Sequence, residues 1–178
     1  MTMDDIRTEP VVLQLRLDPS WVFVDDIRRF VESFCAAACP GAEREEALAL
    51  AAHELVQNAI SYAARPGVDL RLSIDRDAKR VHVAVSNAVT PDQAKLLRDR
   101  IAAIASQQDP LQGYLAAMHE NPEGRGGIGL SRVRFEASLE LEVTHDDGQV
   151  TVHAHGPLAP PAQTFIPLRG RASDLASA

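Results

Sequence analysis

The chain has 178 residues, of which 46% are hydrophobic and 24% charged. Those proportions exclude a largely disordered chain and fit one domain large enough to bury its own core. A formal net charge of −7 argues against nucleic-acid binding as the main function, so the expected partner is a protein or a small molecule.

Aromatic residues make up only 4%, so the core must come from Leu, Val, Ile and Ala. The opening residues Met1 to Arg7 lack the apolar centre of a signal peptide, and no stretch of about 18 apolar residues occurs. A soluble, cytoplasmic chain is expected. Cys35 and Cys39 stand four apart on one helical face, a spacing that suits buried packing better than redox or metal chemistry.

In chain order, Val11 to Leu17 ends in alternating apolar residues and reads as a strand. Asp18-Pro19-Ser20 breaks it, with Ser20 as a candidate N-cap. Val24, Ile27, Val31 and Phe34 then recur at helical spacing up to Pro40-Gly41. A second helix is expected from about Ala42 to Ala64, with Ala47, Leu48, Ala51, Leu55, Ala59 and Tyr62 on its apolar face. Val68–Ile74 and Val81–Val85 alternate with period two around a polar turn and predict an antiparallel hairpin. Thr90-Pro91-Asp92-Gln93 has the form of a capping box with proline at the first helical position. The helix it opens should last to about Gln107, with a short helix after Asp109-Pro110.

A glycine-rich loop, Gly124-Arg125-Gly126-Gly127-Ile128-Gly129-Leu130, precedes a helix expected over Ser131–Ala137. A second hairpin pairs Leu139–Thr144 with Val150–His155. Residues 1–155 read as one domain and 156–178 as a Pro- and Ala-rich tail. The fold class is α+β, a two-layer sandwich with helices on one face of a mixed sheet.

Two tempting motifs fail on context. His53-Glu54-Leu55-Val56-Gln57 begins like a zinc-protease helix, but Gln57 replaces the second histidine, so there is no imidazole pair. Gly124, Gly126 and Gly129 match a dinucleotide fingerprint but do not follow a strand. Two elements survive. Glu54 and Asn58 lie side by side in mid-helix, where asparagine is a poor helix former. A carboxylate beside a carboxamide can position a nucleophile and hold hydrated Mg²⁺. The bland reading is an exposed acid beside a locally bonded asparagine. The glycine loop allows close wrapping of an anion at a helix N-terminus, with Arg125 adding charge. Its bland reading is a surface loop, although Ile128 and Leu130 would be wasted in one.

Together, Glu54-x-x-x-Asn58-Ala59 and Gly124-x-Gly126-Gly127-x-Gly129-Leu130 resemble the N box and the second glycine box of the GHKL ATPase superfamily, which includes gyrase, MutL and the histidine kinases. Within it, residues 10 to 155 look most like the small anti-sigma-factor serine/threonine kinases of bacterial partner-switching systems. The divergent SiaB-type kinases are an alternative set of nearer relatives. The resemblance implies a Bergerat-type sandwich that binds ATP. Asn58 would coordinate Mg²⁺, and Glu54 would orient or deprotonate the attacking hydroxyl. Gly126, Gly127 and Gly129 would wrap the phosphates. It further implies a small antagonist protein as phosphoacceptor, a sigma factor or other regulator as second partner, and pairing with a second copy.

One departure is plain. Where the family has an Asp-x-Gly-x-Gly box for adenine, this chain has Ser86-Asn87-Ala88-Val89-Thr90, so Asn87 stands in for the aspartate. A long helical stretch from Pro91 to His119 replaces a short lid. The alternative function is therefore a degenerate module that controls a partner without phosphoryl transfer, and an unrelated α+β ligand-binding domain is the outside reading. His53 should point about 100° away from Glu54 on the helix, His153 and His155 should share a strand face, and Arg132 and Arg134 are expected to be solvated.

Overall fold

The computed structural model describes residues 9–18, 24–120 and 127–159. In chain order these form β1 (Val11–Leu17), α1 (Val24–Ala38), α2 (Glu45–Tyr62), β2 (Val68–Asp75), β3 (Arg80–Ala88), α3 (Pro91–Ser106), α4 (Pro110–Glu120), α5 (Ile128–Phe135), β4 (Glu140–Asp146) and β5 (Gln149–Pro157). Ser20 and Gly124, Arg125 and Gly126 fall outside the described residues, as does the chain beyond residue 159.

The two-layer α+β sandwich forms as expected, with the helices over one face of a five-stranded sheet of order β1-β2-β3-β5-β4. Every pairing is antiparallel, so the sheet is antiparallel throughout rather than mixed. The cause is the number of reversals: α1 and α2 lie between β1 and β2, and two helices return the chain for an antiparallel strand. β2–β3 and β4–β5 are hairpins, and α3, α4 and α5 carry the chain from β3 to the edge strand β4, so that β5 returns between them.

Period-two alternation sets the register. One inward row runs Leu15–Leu70–Val85–Val152–Val143 across all the strands, and the next runs Leu13–Leu72–Val83–Ala154–Leu141. A slip of one residue in any strand would turn its half of these rows to the open face. Asp147 and Gly148 both have positive φ, 47° and 75°, as a two-residue turn between right-twisted strands requires. β5 continues through Gly156, where a Cβ would come within 3.0 Å of Leu139 and 3.2 Å of the Ser138 carbonyl.

α2 is the central helix. Leu48 to Ala52, Leu55, Val56 and Ala59 are buried between α1 and the sheet, and its alanines let both neighbours approach. Cys35 and Cys39 are buried in this seam, and the Cys39 thiol donates to the Cys35 carbonyl at 3.0 Å. Burial, reinforced by Cys39 and Glu45, pushes the Cys35 thiol up to about 12, so it stays protonated and acts in packing, as its spacing suggested.

α3 opens with the full capping box: the Thr90 hydroxyl accepts from the Gln93 N–H, and the Gln93 side chain accepts from the Thr90 N–H. Its Ala94, Leu97, Ile101 and Ile104 are buried. α4 buries only Gly113 and leaves Leu111, Leu115 and Met118 exposed. α5 begins at Ile128, ahead of the expected start at Ser131, so Ile128, Gly129 and Leu130 form its first turn rather than a loop. Among the described residues, no helix is long and apolar enough to cross a membrane.

Candidate functional site

A cavity of about 530 Å³ opens where α2, α3, α4 and α5 meet, a size usual for small-molecule sites. One wall is a single face of α2: Glu54, Gln57, Asn58, Ser61 and Tyr62. Their spacings of three and four residues follow from the helical repeat. Gly127 to Leu130 and Arg132 of the α5 segment form the second wall, and Arg100 of α3 and Tyr114 of α4 form the third. Tyr114 is held by stacking on Phe135, with ring centroids 5.4 Å apart.

The structure thus brings together the expected Glu54, Asn58, Gly127, Gly129 and Leu130. Glu54 is not the exposed acid of the bland reading, since only 8% of it remains accessible. Its Oε1 accepts from Arg132 Nη1 at 2.6 Å. Its Oε2 lies so close to Gly129 that a Cβ there would fall 2.4 Å away. Both carboxylate oxygens are therefore placed by α5, which is why this position in α5 requires glycine. Gly127 precedes the helix with φ of 105°, a left-handed conformation that favours glycine. The unpaired N–H groups of the first turn of α5 begin beside it.

Arg132 and Arg134 depart from the expectation that they are solvated. Arg132 bridges two acids: besides Glu54, its Nε and Nη2 donate to Glu136 Oε1 and Oε2 at 2.9 and 3.2 Å. The hydrogen bonds to Glu136 chiefly hold its guanidinium above the ordinary value, with the Glu54 charge adding to them against partial desolvation. Arg134 donates to the Ile104 carbonyl, tying α5 to α3, and its side chain is 10% exposed. Sequence reading missed the ties to Glu54 and Ile104 because these partners are distant in the chain.

Asn87 is buried at the end of β3, its Nδ2 donating to the Ala88 carbonyl at 3.2 Å, and it is not among the residues lining the cavity. That strand end is nevertheless joined to the end of α2 by the Ala64 N–H to Ala88 carbonyl bond of 2.8 Å. His53 turns away from the cavity, towards α1, with Nε2 3.7 Å from Asp25. His153 and His155 share the open sheet face with His82. Among the described residues, no group of three or more His, Cys, Asp or Glu side chains is arranged to hold a metal ion.

Comparison with known proteins agrees with this geometry. The family model for the histidine kinase-like ATPase domain matches residues 18–152. A chain from the crystal structure of the SiaB–SiaC complex of Pseudomonas aeruginosa is similar in structure, with a TM-score of 0.64 and 21% identity, over 82% of this chain and 89% of that one. At that identity the likeness is one of fold. No curated protein matches in sequence. The matched span runs from α1 into the first half of β5 and includes every wall of the cavity, so the chain belongs to the histidine kinase-like ATPase domain family.

Proposed function

We propose that this chain binds ATP with Mg²⁺ in the cavity and acts in the cytoplasm of a bacterium as a serine/threonine protein kinase for a small partner protein in a partner-switching system. The observation that carries the reading is the face of α2. A buried carboxylate, Glu54, stands one turn from the carboxamide of Asn58, and both face the glycine-bearing start of α5. The donor set fits Mg²⁺, a hard cation that commonly takes one or two protein oxygens and completes its shell with water and nucleotide phosphates. Asn58 would hold it, and its contribution would be to neutralise phosphate charge during transfer.

The remaining chemistry belongs to the chain. A partner hydroxyl attacks the terminal phosphorus, the bond to the β-phosphate oxygen breaks, and ADP leaves. Glu54 accepts the hydroxyl proton, while the start of α5 supplies N–H donors to the phosphates. The similar structure is that of SiaB with SiaC, an assembly of two different proteins, which supports a partner protein as the acceptor here.

The second reading is a module that grips a partner without transferring phosphate. One observation favours it: Glu54 Oε1 is already held by Arg132 at 2.6 Å, and Oε2 is packed against Gly129. Calorimetric titration of MgATP and MgADP into the wild type and Asn58→Ala tests the nucleotide site. Metal-dependent binding abolished by Asn58→Ala is expected, and no heat at millimolar nucleotide refutes it. Mass spectrometry of a co-purified partner after incubation with MgATP then separates the readings. Phosphoserine or phosphothreonine that disappears with Glu54→Ala supports the kinase, whereas binding without phosphate supports the module.

A further inference from the structure

We infer that Arg100, on the helical segment between Pro91 and His119, is a phosphate-binding residue that contacts the terminal end of the nucleotide's polyphosphate. The inference rests on the nucleotide reading above and adds a residue that lies in neither glycine nor asparagine motif.

Arg100 is half-buried on α3, and the positions three and four residues away are Leu96, Leu97, Ala103 and Ile104. No acid on its own helix can therefore neutralise it. Lys95 on the same helix shows the contrast, its ammonium lying 2.5 Å from Asp99. Among the described residues, Arg100 makes neither a hydrogen bond nor an ion pair.

Among the described residues, the charged side chains lining the cavity are Glu54, Arg100 and Arg132. Glu54 and Arg132 are paired with each other at 2.6 Å, and Arg132 is shared with Glu136 outside the cavity, so Arg100 is the lining charge that no described side chain pairs. In a chain of net charge −7, a cation lining the main cavity with no partner among the described residues favours an anionic ligand.

Arg100 and Gly127 line both the main cavity and a smaller adjoining one of about 150 Å³, which places Arg100 beside the start of α5. Glu120 also lines the smaller cavity but is not paired with Arg100. At the opposite end of the α2 face, Ser61 and Tyr62 lead to the junction with Asn87 and Ala88, where the base is expected. Arg100 therefore stands at the phosphate end, with Glu54 and Gly129. The long helical segment in the lid position supplies a cation to the site in addition to covering it.

The test is calorimetric titration of MgATP, MgADP and AMP into the wild type, Arg100→Gln, Arg100→Lys and Asn58→Ala. MgATP affinity should fall about tenfold or more in Arg100→Gln, as expected for loss of a charge-assisted hydrogen bond. AMP affinity should change by less than about twofold, and Arg100→Lys should retain part of the lost MgATP affinity. The unliganded Arg100 variants should melt with the wild type, since Arg100 has no partner among the described residues. Equal MgATP affinity in wild type and Arg100→Gln would overturn the inference while the nucleotide reading stood. An equal fall for AMP would overturn the assignment to the terminal phosphates. If the wild type binds none of the three, the nucleotide reading fails first and this inference fails with it.

Discussion

The two sides of the cavity are built on opposite principles. On the α2–α5 side, charged groups are matched before any ligand arrives: Glu54 to Arg132, Arg132 to Glu136, and the second Glu54 oxygen against Gly129. On the α3–α4 side, Arg100 has no partner among the described residues, and α4 exposes Leu111, Leu115 and Met118 while burying only Gly113. The first arrangement fixes a geometry and costs little reorganisation when chemistry occurs. The second leaves free energy to be gained on binding. On the proposed reading, the site positions a base and also responds to a ligand, and the two arrangements lie on different helices.

Gly129→Ala should have the largest effect and should break the matched side specifically. Its Cβ would sit 2.4 Å from Glu54 Oε2, and the carboxylate must move away from where a hydroxyl would be delivered. Displacement of a reacting group by about 1 Å costs on the order of 100-fold in rate. Stability should change little, because alanine is favoured over glycine in a helix by roughly 1 kcal/mol, which offsets part of the crowding. Phosphate transfer to the partner and thermal unfolding, measured together, check this. Unchanged transfer would mean that the position of Glu54 is unimportant.

Arg132→Ala comes next and probes the same side through stability. It leaves a carboxylate that is only 8% accessible without its cation. Breaking buried pairs costs about 3–5 kcal/mol, but Arg132 is a third exposed, so water can reach the vacated position and a loss of about 2 kcal/mol is expected. Adding Glu54→Gln should restore most of it. If the two single losses simply add in the double variant, measured by urea unfolding, the ion pair contributes nothing to the fold.

How much of this was legible in the sequence depended on the reach of each interaction. The Thr90–Gln93 box was readable because both bonds lie within four residues. The hairpins were readable because alternation records which face is buried. Glu54 and Asn58 could be paired because one helical turn brings them together. Arg132 could not be matched to Glu54, since a contact across 78 positions leaves no local pattern. The start of α5 was hidden because Gly127 and Gly129 have low helix propensity, while tertiary contact around Glu54 requires a glycine there. Strand direction was misjudged because it follows from the number of helices between strands, not from any strand's own residues. Arg100 did leave a signal: a cation with only apolar neighbours three and four positions away on an otherwise amphipathic helix.

Thr90→Ala sharpens the comparison from the other side. Loss of a capping hydroxyl typically costs about 1 kcal/mol, and here it should be felt mainly in α3, the helix that carries Arg100. Amide hydrogen exchange should show faster opening of the first turn of α3, with α2 and the sheet unchanged. Equal acceleration in α2 would mean that the two sides of the cavity unfold as one unit and that the division drawn between them does not extend to dynamics.

The smallest expected effect lies on the open sheet face, remote from the cavity, and serves as a reference for both sides. His82 Nε2 and His153 Nδ1 are 3.0 Å apart with stacked rings, and His153 Nε2 lies 3.1 Å from the Thr144 hydroxyl. One ring must donate and the other accept, so the accepting imidazole must be neutral and the contact is lost when both rings are protonated. Burial is the main cause that lowers both pKa values below the ordinary 6.5. For His82, the neighbouring His153, His155 and Arg71 act in the same direction and Glu142 opposes them. For His153, Glu142 opposes burial and His155 reinforces it. Because the folded pKa values are depressed, the unfolded chain takes up protons first. The stability from this face is complete above about pH 6.5 and declines as pH falls below it, until the folded values are passed. Partial exposure limits the effect to several tenths of a kcal/mol. Between about pH 7.5 and about pH 5.5, the wild type should lose more stability in urea than His82→Gln does. Identical losses would show that the paired rings contribute nothing.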